Sequence, residues 1–292
     1  MSALPMRSTD RQRLVVPAIW RAHLPEYASE AIGLGLFMVS ACVFAMLLEH
    51  PASPLPQMFP SALGRRALMG LAMGATLVAN VHAPWGRRSG AHLNPAVTLA
   101  FWRLGHLSLA DVVGYVLAQF AGASAGVAVV HQIAPRALAH PRVHFVVTSP
   151  GPRGEGVAFA AEFVMAFVLL SVVLRVMSSA RHAMRTPWAA GALVATYIAL
   201  EAPLSGMSLN PARPFGSALA AGDWHAYPVY VFAPALAMLA AAEARRLECA
   251  ASGRADTGCA KLLHRPDEDC VFCGQRSVRS ESSPSTPGTF AA

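Results

Sequence analysis

Charge is what this chain has least of. Only 13% of its 292 residues are Asp, Glu, Lys or Arg, against about a quarter in ordinary soluble domains. The deficit is concentrated. Residues 31–48, 67–86, 112–135 and 224–242 carry no formal charge, and 156–174 and 186–212 carry one glutamate each, Glu162 and Glu201. A membrane span needs roughly 20 apolar residues to cross about 30 Å of hydrocarbon, so the pattern predicts six spans. A soluble protein of this length built on six such helices would have too little polar surface to cover them.

Other absences narrow the function. The first 26 residues hold Arg7, Arg11, Arg13 and Arg21 and no apolar stretch of signal-peptide length. The first span is therefore expected to act as its own insertion signal. Nothing pairs a nucleophile with a base and no phosphate-binding loop occurs, so no enzyme, cofactor or metal site is expected. Of the five cysteines, Cys42 falls mid-span and reads as packing. Cys249, Cys259, Cys270 and Cys273 fall in a polar tail whose predicted cytoplasmic side disfavours disulfides. The pair Cys270-Val-Phe-Cys273 with His264 nearby has some look of a zinc or metalloid motif. A single pair with irregular partners reads better as ordinary thiols in a mobile tail. From Ala250 onward the Ser/Pro/Thr-rich composition predicts disorder.

Orientation follows from the basic residues. With six spans both termini share a side, and 17 of the 23 lysines and arginines fall on that side. Positive residues favour the cytoplasm. This predicts a multi-pass protein of the cell membrane with both termini cytoplasmic. The net charge of +7 then reflects topology, and no nucleic-acid partner is implied.

A repeat lies inside the chain. Ser-Gly-Ala-His-Leu-Asn-Pro-Ala (residues 89–96) is echoed by Ser-Gly-Met-Ser-Leu-Asn-Pro-Ala (residues 205–212). Each copy follows the second span of a three-span half, and each half opens with a glutamate entering a span, Glu30 and Glu162. Three is odd, so the second half must be inverted. Interrupted apolar segments at matching positions of inverted halves point to a site near the bilayer midplane. Proline suits the first position of a helix and asparagine caps it. Asn94 and Asn210 therefore read as caps of short helices starting at Pro95–Ala96 and Pro211–Ala212. The residues just upstream are expected to run extended along a water-filled pore, because such backbone cannot face lipid. Two half-helices would aim their positive ends at the centre, a barrier to cations and protons but not to neutral molecules. The asparagine amides would donate to a passing solute. Arg213, directly after the second motif, is costly in an apolar stretch and so a functional candidate.

These residues resemble the aquaporin and glycerol-facilitator superfamily over roughly residues 26–244. Asn94, Asn210 and Arg213 match its two asparagines and filter arginine, and Glu30 and Glu162 its loop-bracing glutamates. Gln119 and Gly122 match its third span, and Tyr230 and Pro234 its sixth. The resemblance implies an all-α membrane fold of six transmembrane helices plus two re-entrant half-helices in an inverted three-helix repeat. It also implies a homotetramer with one pore per subunit. The organisation expected is a cytoplasmic segment at 1–26, a channel domain at 27–247 and a cytoplasmic tail at 248–292. The repeats would cover about 27–133 and 156–247.

By gapless counting the family's outer constriction falls on Gly74, Ile198, Met207 and Arg213, with Met73 replacing Gly74 after a slip of one residue. Water channels carry phenylalanine and histidine at the first two positions. The resemblance with these departures implies a wide, greasy filter, suited to glycerol, urea or metalloid hydroxides as well as water. The alternatives are a water-selective channel, a secondary transporter using Glu30 or Glu162, and a non-conducting structural protein. Gly122 and Gly126 read as close helix packing. His92 reads as a structural histidine, and Glu201 as either an ion-pair partner of Arg213 or a solvated group.

Overall fold

Backbone in hydrocarbon must satisfy its own hydrogen bonds, and this chain does so with helices; no strand occurs among the described residues. The computed structural model describes residues 18–179, 181–253, 259–264, 270 and 272. Six spans are present: α1 (Leu24–Glu49), α2 (Ala62–His82), α4 (Leu109–Ile133), α5 (Glu155–Met177), α6 (Thr186–Leu200) and α8 (Tyr227–Ala251). Two short helices interrupt the series, α3 (Pro95–Arg103) after α2 and α7 (Ala212–Ala221) after α6.

Four spans, α1, α4, α5 and α8, are individually long and apolar enough to cross a membrane. The other two are weaker for local reasons. α2 opens with Arg65 and Arg66 in its first turn, behind a Ser61 cap that accepts from the Gly64 N–H. α6 has only 15 residues, continued by helical turns at Ala183–Arg185 and Ala202–Ser205.

The packing carries the inverted symmetry that the repeat predicts. α1 packs on α4 and α5 on α8, α2 pairs with α6 across the middle, and each short helix lies on a span of the opposite half: α3 on α8, α7 on α4. Small residues set the closest crossings. A Cβ on Gly122 would lie 2.2 Å from the Ala31 carbonyl oxygen, and one on Gly126 2.3 Å from that of Gly35, so α1 and α4 meet backbone to backbone. α2 and α6 meet likewise at Gly70 against Ala195 and Gly74 against Gly191.

The segment after α8 departs from expectation. Ala260, Lys261, Leu262, Leu263 and Phe272 are buried, so disorder from Ala250 onward does not hold for this part of the tail. Leu262, Leu263 and Phe272 give a polar segment apolar side chains to bury. The rest of the tail, Cys273 included, lies outside the described residues.

Candidate functional site

The site is built on two loops that the fold turns back into its own centre. Ahead of α3 the backbone has positive φ at Gly90 (96°), Ala91 (55°) and Leu93 (50°); ahead of α7 it does so at Gly206 (82°), Met207 (53°) and Leu209 (57°). These stretches are therefore not extended, as the sequence suggested. They curl through three left-handed residues each, a conformation that L side chains resist.

One carboxylate braces each curl. Glu30 Oε1 accepts from Ser89 Oγ (2.7 Å) and the His92 N–H (3.0 Å), and Oε2 from the Leu93 N–H (2.6 Å) and Gln119 Nε2 (2.7 Å). Glu162 repeats the pattern with Ser205 Oγ (2.7 Å) and the N–H groups of Ser208 (2.7 Å) and Leu209 (2.6 Å). A tyrosine closes each loop from behind: Tyr115 OH donates to the Ser89 carbonyl at 2.6 Å and Tyr230 OH to that of Ser205 at 2.7 Å. The bonds to the two carboxylates are of the charge-assisted, short and strong kind, and they offset the backbone strain.

The loops deliver the two helix N-termini to one another. Asn94 Oδ1 accepts from the Ala96 N–H at 2.8 Å and Asn210 Oδ1 from the Ala212 N–H at 3.0 Å. Pro95 opens α3, and Pro211 already has helical angles just ahead of α7. The amides reach across the centre: Asn94 Nδ2 donates to the Leu209 carbonyl and Asn210 Nδ2 to the Leu93 carbonyl, each at 2.7 Å. An amide NH2 has two hydrogens. One on each asparagine is spent locking the loops, which leaves one for a solute.

A cavity of about 330 Å³ passes this point. It runs from Glu49, Arg65, Arg66 and Arg142, at the end where α1 finishes, past Ile198, Met207 and Arg213 to Asn94 and Asn210. His92 and the tail residue Leu262 line it beyond the asparagines. Arg213 donates through Nη1 to Thr148 Oγ1, in the loop between α4 and α5. Nothing in the motifs pointed to Thr148. Glu201 neither pairs with Arg213 nor stands fully in solvent; its Oε2 accepts from Ser205 Oγ at 3.1 Å.

Three of the four constriction positions inferred by counting line the cavity, and Gly74 does not. It faces α6, where an added Cβ would lie 2.5 Å from the Gly191 carbonyl oxygen. Met73, next in sequence and turned about 100° around the helix, lines the cavity together with Met69. The one-residue slip to Met73 gives the position that the structure shows.

The tail supplies what sequence reasoning set aside. His92 is buried and satisfied, stacked on Phe101 with its Nδ1 3.1 Å from Thr98 Oγ1, but its Nε2 donates to the carbonyl of Ala260 at 2.7 Å. Cys270 and His264, weighed from sequence as part of a zinc or metalloid motif with Cys273 and set below ordinary thiols, come together instead with Cys259, the ligand atoms of the three all within 4.8 Å of one another. Cys42 and Cys249 are buried elsewhere.

Comparison with known proteins agrees with this architecture. The sequence profile described as "Major intrinsic protein" matches residues 18–243. Rice "Aquaporin NIP3-1" is 36% identical over 62% of this chain. The chain spans only 56% of that relative's length, and 58% of the maize protein of the same name. "Probable aquaporin AqpM" of Archaeoglobus fulgidus is 32% identical over 74% of this chain and 93% of its own length. Among solved structures, "X-ray structure of the aquaglyceroporin from Plasmodium falciparum" superposes with a TM-score of 0.62 at 20% identity, covering 76% of this chain and 94% of that one.

Proposed function

The chain belongs to the major intrinsic protein family, and on that premise we propose that it is a passive transmembrane channel for small uncharged solutes, of the size of glycerol, urea or a metalloid hydroxide, as well as water. The observation that carries this reading is the pair of helix N-termini cross-linked by Asn94 and Asn210 at the side of one cavity. Two positive helix ends repel a cation or a hopping proton and leave neutral molecules a donor on each asparagine. Glu30 and Glu162 are saturated with donors from the loops they brace, which argues against either as the moving proton site of a transporter.

The cavity wall favours solutes larger than water. Apart from Arg213, its middle is formed by Met69, Met73, Val194, Ile198 and Met207. A solute there exchanges most of its hydration for hydrocarbon and polarisable thioether, so one apolar face helps it. The names of the rice and Archaeoglobus relatives fit a channel, and that of the Plasmodium structure fits one admitting glycerol-sized molecules.

The protein is further inferred to work in the cell membrane as a homotetramer with both termini cytoplasmic. The sequence count, 17 of 23 lysines and arginines on the side of both termini, supports the orientation. Apolar side chains exposed on the outside, such as Leu117, Trp188 and Phe232, suit contact with lipid and neighbouring subunits. Cross-linking in native membranes and protease access to terminal tags test these points.

Stopped-flow swelling of proteoliposomes in water, glycerol, urea and arsenite gradients tests the function. Flux should be linear in concentration and insensitive to a pH gradient, and Asn210→Leu should abolish it for every solute. Unchanged permeability in a correctly assembled variant would remove the central claim. Saturable, pH-driven uptake would favour a transporter.

A further inference from the structure

Part of the segment beyond α8 packs against the first re-entrant loop and reaches the cavity. The Leu262 N–H donates to the Gly90 carbonyl at 3.1 Å, and the Ala260 carbonyl accepts from His92 Nε2 at 2.7 Å. The Phe272 ring stacks at 6.4 Å on the His92 ring and meets Tyr115 edge-on at 6.1 Å. Leu262 itself lines the cavity, beyond the asparagines from the arginine-lined mouth. The fit is close: a Cβ on Gly90 would lie 2.6 Å from the Ala260 carbonyl oxygen. The tail thus occupies the inner mouth, on the side of the bundle where the described chain begins and α8 ends.

Residues 259–264 form no helix or strand, so little in their own backbone holds them in place. Cys259 and His264 stand on either side of the docked residues Ala260–Leu263, and Cys270 lies two positions before Phe272. The three ligand atoms lie within 4.8 Å of one another, with the two sulfurs 3.3 Å apart. Around a tetrahedral zinc ion with Zn–S bonds of about 2.3 Å, two sulfurs lie roughly 3.8 Å apart. Side-chain adjustment of about half an ångström closes that difference.

We propose that Cys259, His264 and Cys270 form a binding site for a thiolate-preferring divalent cation of the zinc class, and that the bound ion locks Leu262 into the inner mouth as a metal-dependent plug. Two sulfurs and an imidazole suit zinc and repel calcium and magnesium, which prefer oxygen. Binding takes the two thiols as thiolates and releases their protons without any redox change. An ion that ties both ends of the docked segment makes its order depend on metal, as in small zinc-folded domains. The effect on flux rests on the channel reading above; the metal site and the fastening of the tail do not.

Two measurements on the full-length protein test this. The first needs no flux. Purified protein dialysed against zinc should retain one equivalent per chain, lost in Cys259→Ser/Cys270→Ser. Zinc should protect the bond after Lys261 from trypsin, since Lys261 is only 4% exposed; a chelator should open it, and the double variant should be cut with or without zinc. No retained zinc, or equal cleavage at Lys261 with and without it, overturns the proposal. So does release of the tail by a thiol reductant but not by a chelator, which would mark a Cys259–Cys270 disulfide.

The second is swelling of vesicles with zinc admitted to the tail side. Zinc should silence the native protein and a chelator restore it, while the double variant and Leu262→Ala conduct throughout. Full flux in zinc-loaded native protein overturns the plug. Zinc retention and Lys261 protection with no flux in any variant or condition would instead count against the channel and leave the metal-locked tail standing.

Discussion

Each re-entrant loop holds non-glycine residues at positive φ, Ala91 and Leu93 on one side, Met207 and Leu209 on the other, at a cost of order 1–3 kcal/mol per residue. A buried carboxylate recovers it. Glu162→Gln keeps the reach of the side chain but turns an NH2 toward N–H donors. Each bond to a charged acceptor that is lost removes about 1.5–3 kcal/mol, so the variant should melt well below the native protein in detergent. An unchanged melting temperature would mean the loop holds its shape without the carboxylate. The neighbouring residues Met73 and Gly74 give an opposed pair of outcomes. Gly74→Phe would drive a ring into the Gly191 backbone and should prevent assembly, seen as loss of the monodisperse peak in size-exclusion chromatography. Met73→Phe faces the cavity and should fold, cutting glycerol flux more than water flux in zinc-free vesicles. A well-folded Gly74→Phe that narrows the pore would reverse this assignment.

At the level of elements, the closest crossings depend on glycine. Gly122 and Gly126 let α4 lie on the backbone of α1 at Ala31 and Gly35. Gly122→Leu has no space to occupy, and overpacking of this kind typically costs about 1–3 kcal/mol or more; with rigid backbone opposite, the upper end or outright misfolding is expected. Expression and melting of Gly122→Leu beside Gly156→Leu, which meets nothing within 4 Å, isolate the effect. These elements were legible in the sequence because their causes are local: charge-free runs for the spans, proline after asparagine for the half-helices, a duplicated octapeptide for the inverted halves. The curl of the loops was not, since positive φ at Leu93 or Met207 is imposed by Glu30 and Glu162 from far away in sequence. Gly74 was misplaced because an offset of one residue, about 100° around a helix, turns a side chain from the cavity to the α6 backbone, and counting cannot fix a register that finely. The tail was misread because average composition hides a few apolar residues, Leu262 and Phe272 among them, whose partners (Gly90 for the first, His92 and Tyr115 for the second) lie more than 150 positions earlier.

Across the whole molecule the fixed charges are unevenly placed. Arg65, Arg66 and Arg142 line the cavity near Glu49, which pairs with Arg65 at 3.0 Å; Arg213 stands deeper, and Leu262 of the tail lines the far side. Each half-helix presents the equivalent of roughly half a positive charge at its N-terminus, so the two together match about one arginine. Arg213 therefore supplies on the order of half of the positive charge at the centre, and its bond to Thr148 fixes where that charge sits. Arg213→Val should leave neutral-solute flux intact while letting protons or small cations through at a level well below that flux, because the half-helices still oppose them. The measurement is current under voltage clamp in planar bilayers, in zinc-free buffer so that the tail does not mask it. Thr148→Val, which removes the anchor but keeps the charge, should leave current at background and alter only the relative rates of glycerol and urea. Background current in Arg213→Val would assign the whole barrier to the paired helix ends. A cation conductance rivalling neutral flux would assign it to the arginine, and the opposed half-helices would then serve to position Asn94 and Asn210 rather than to exclude charge.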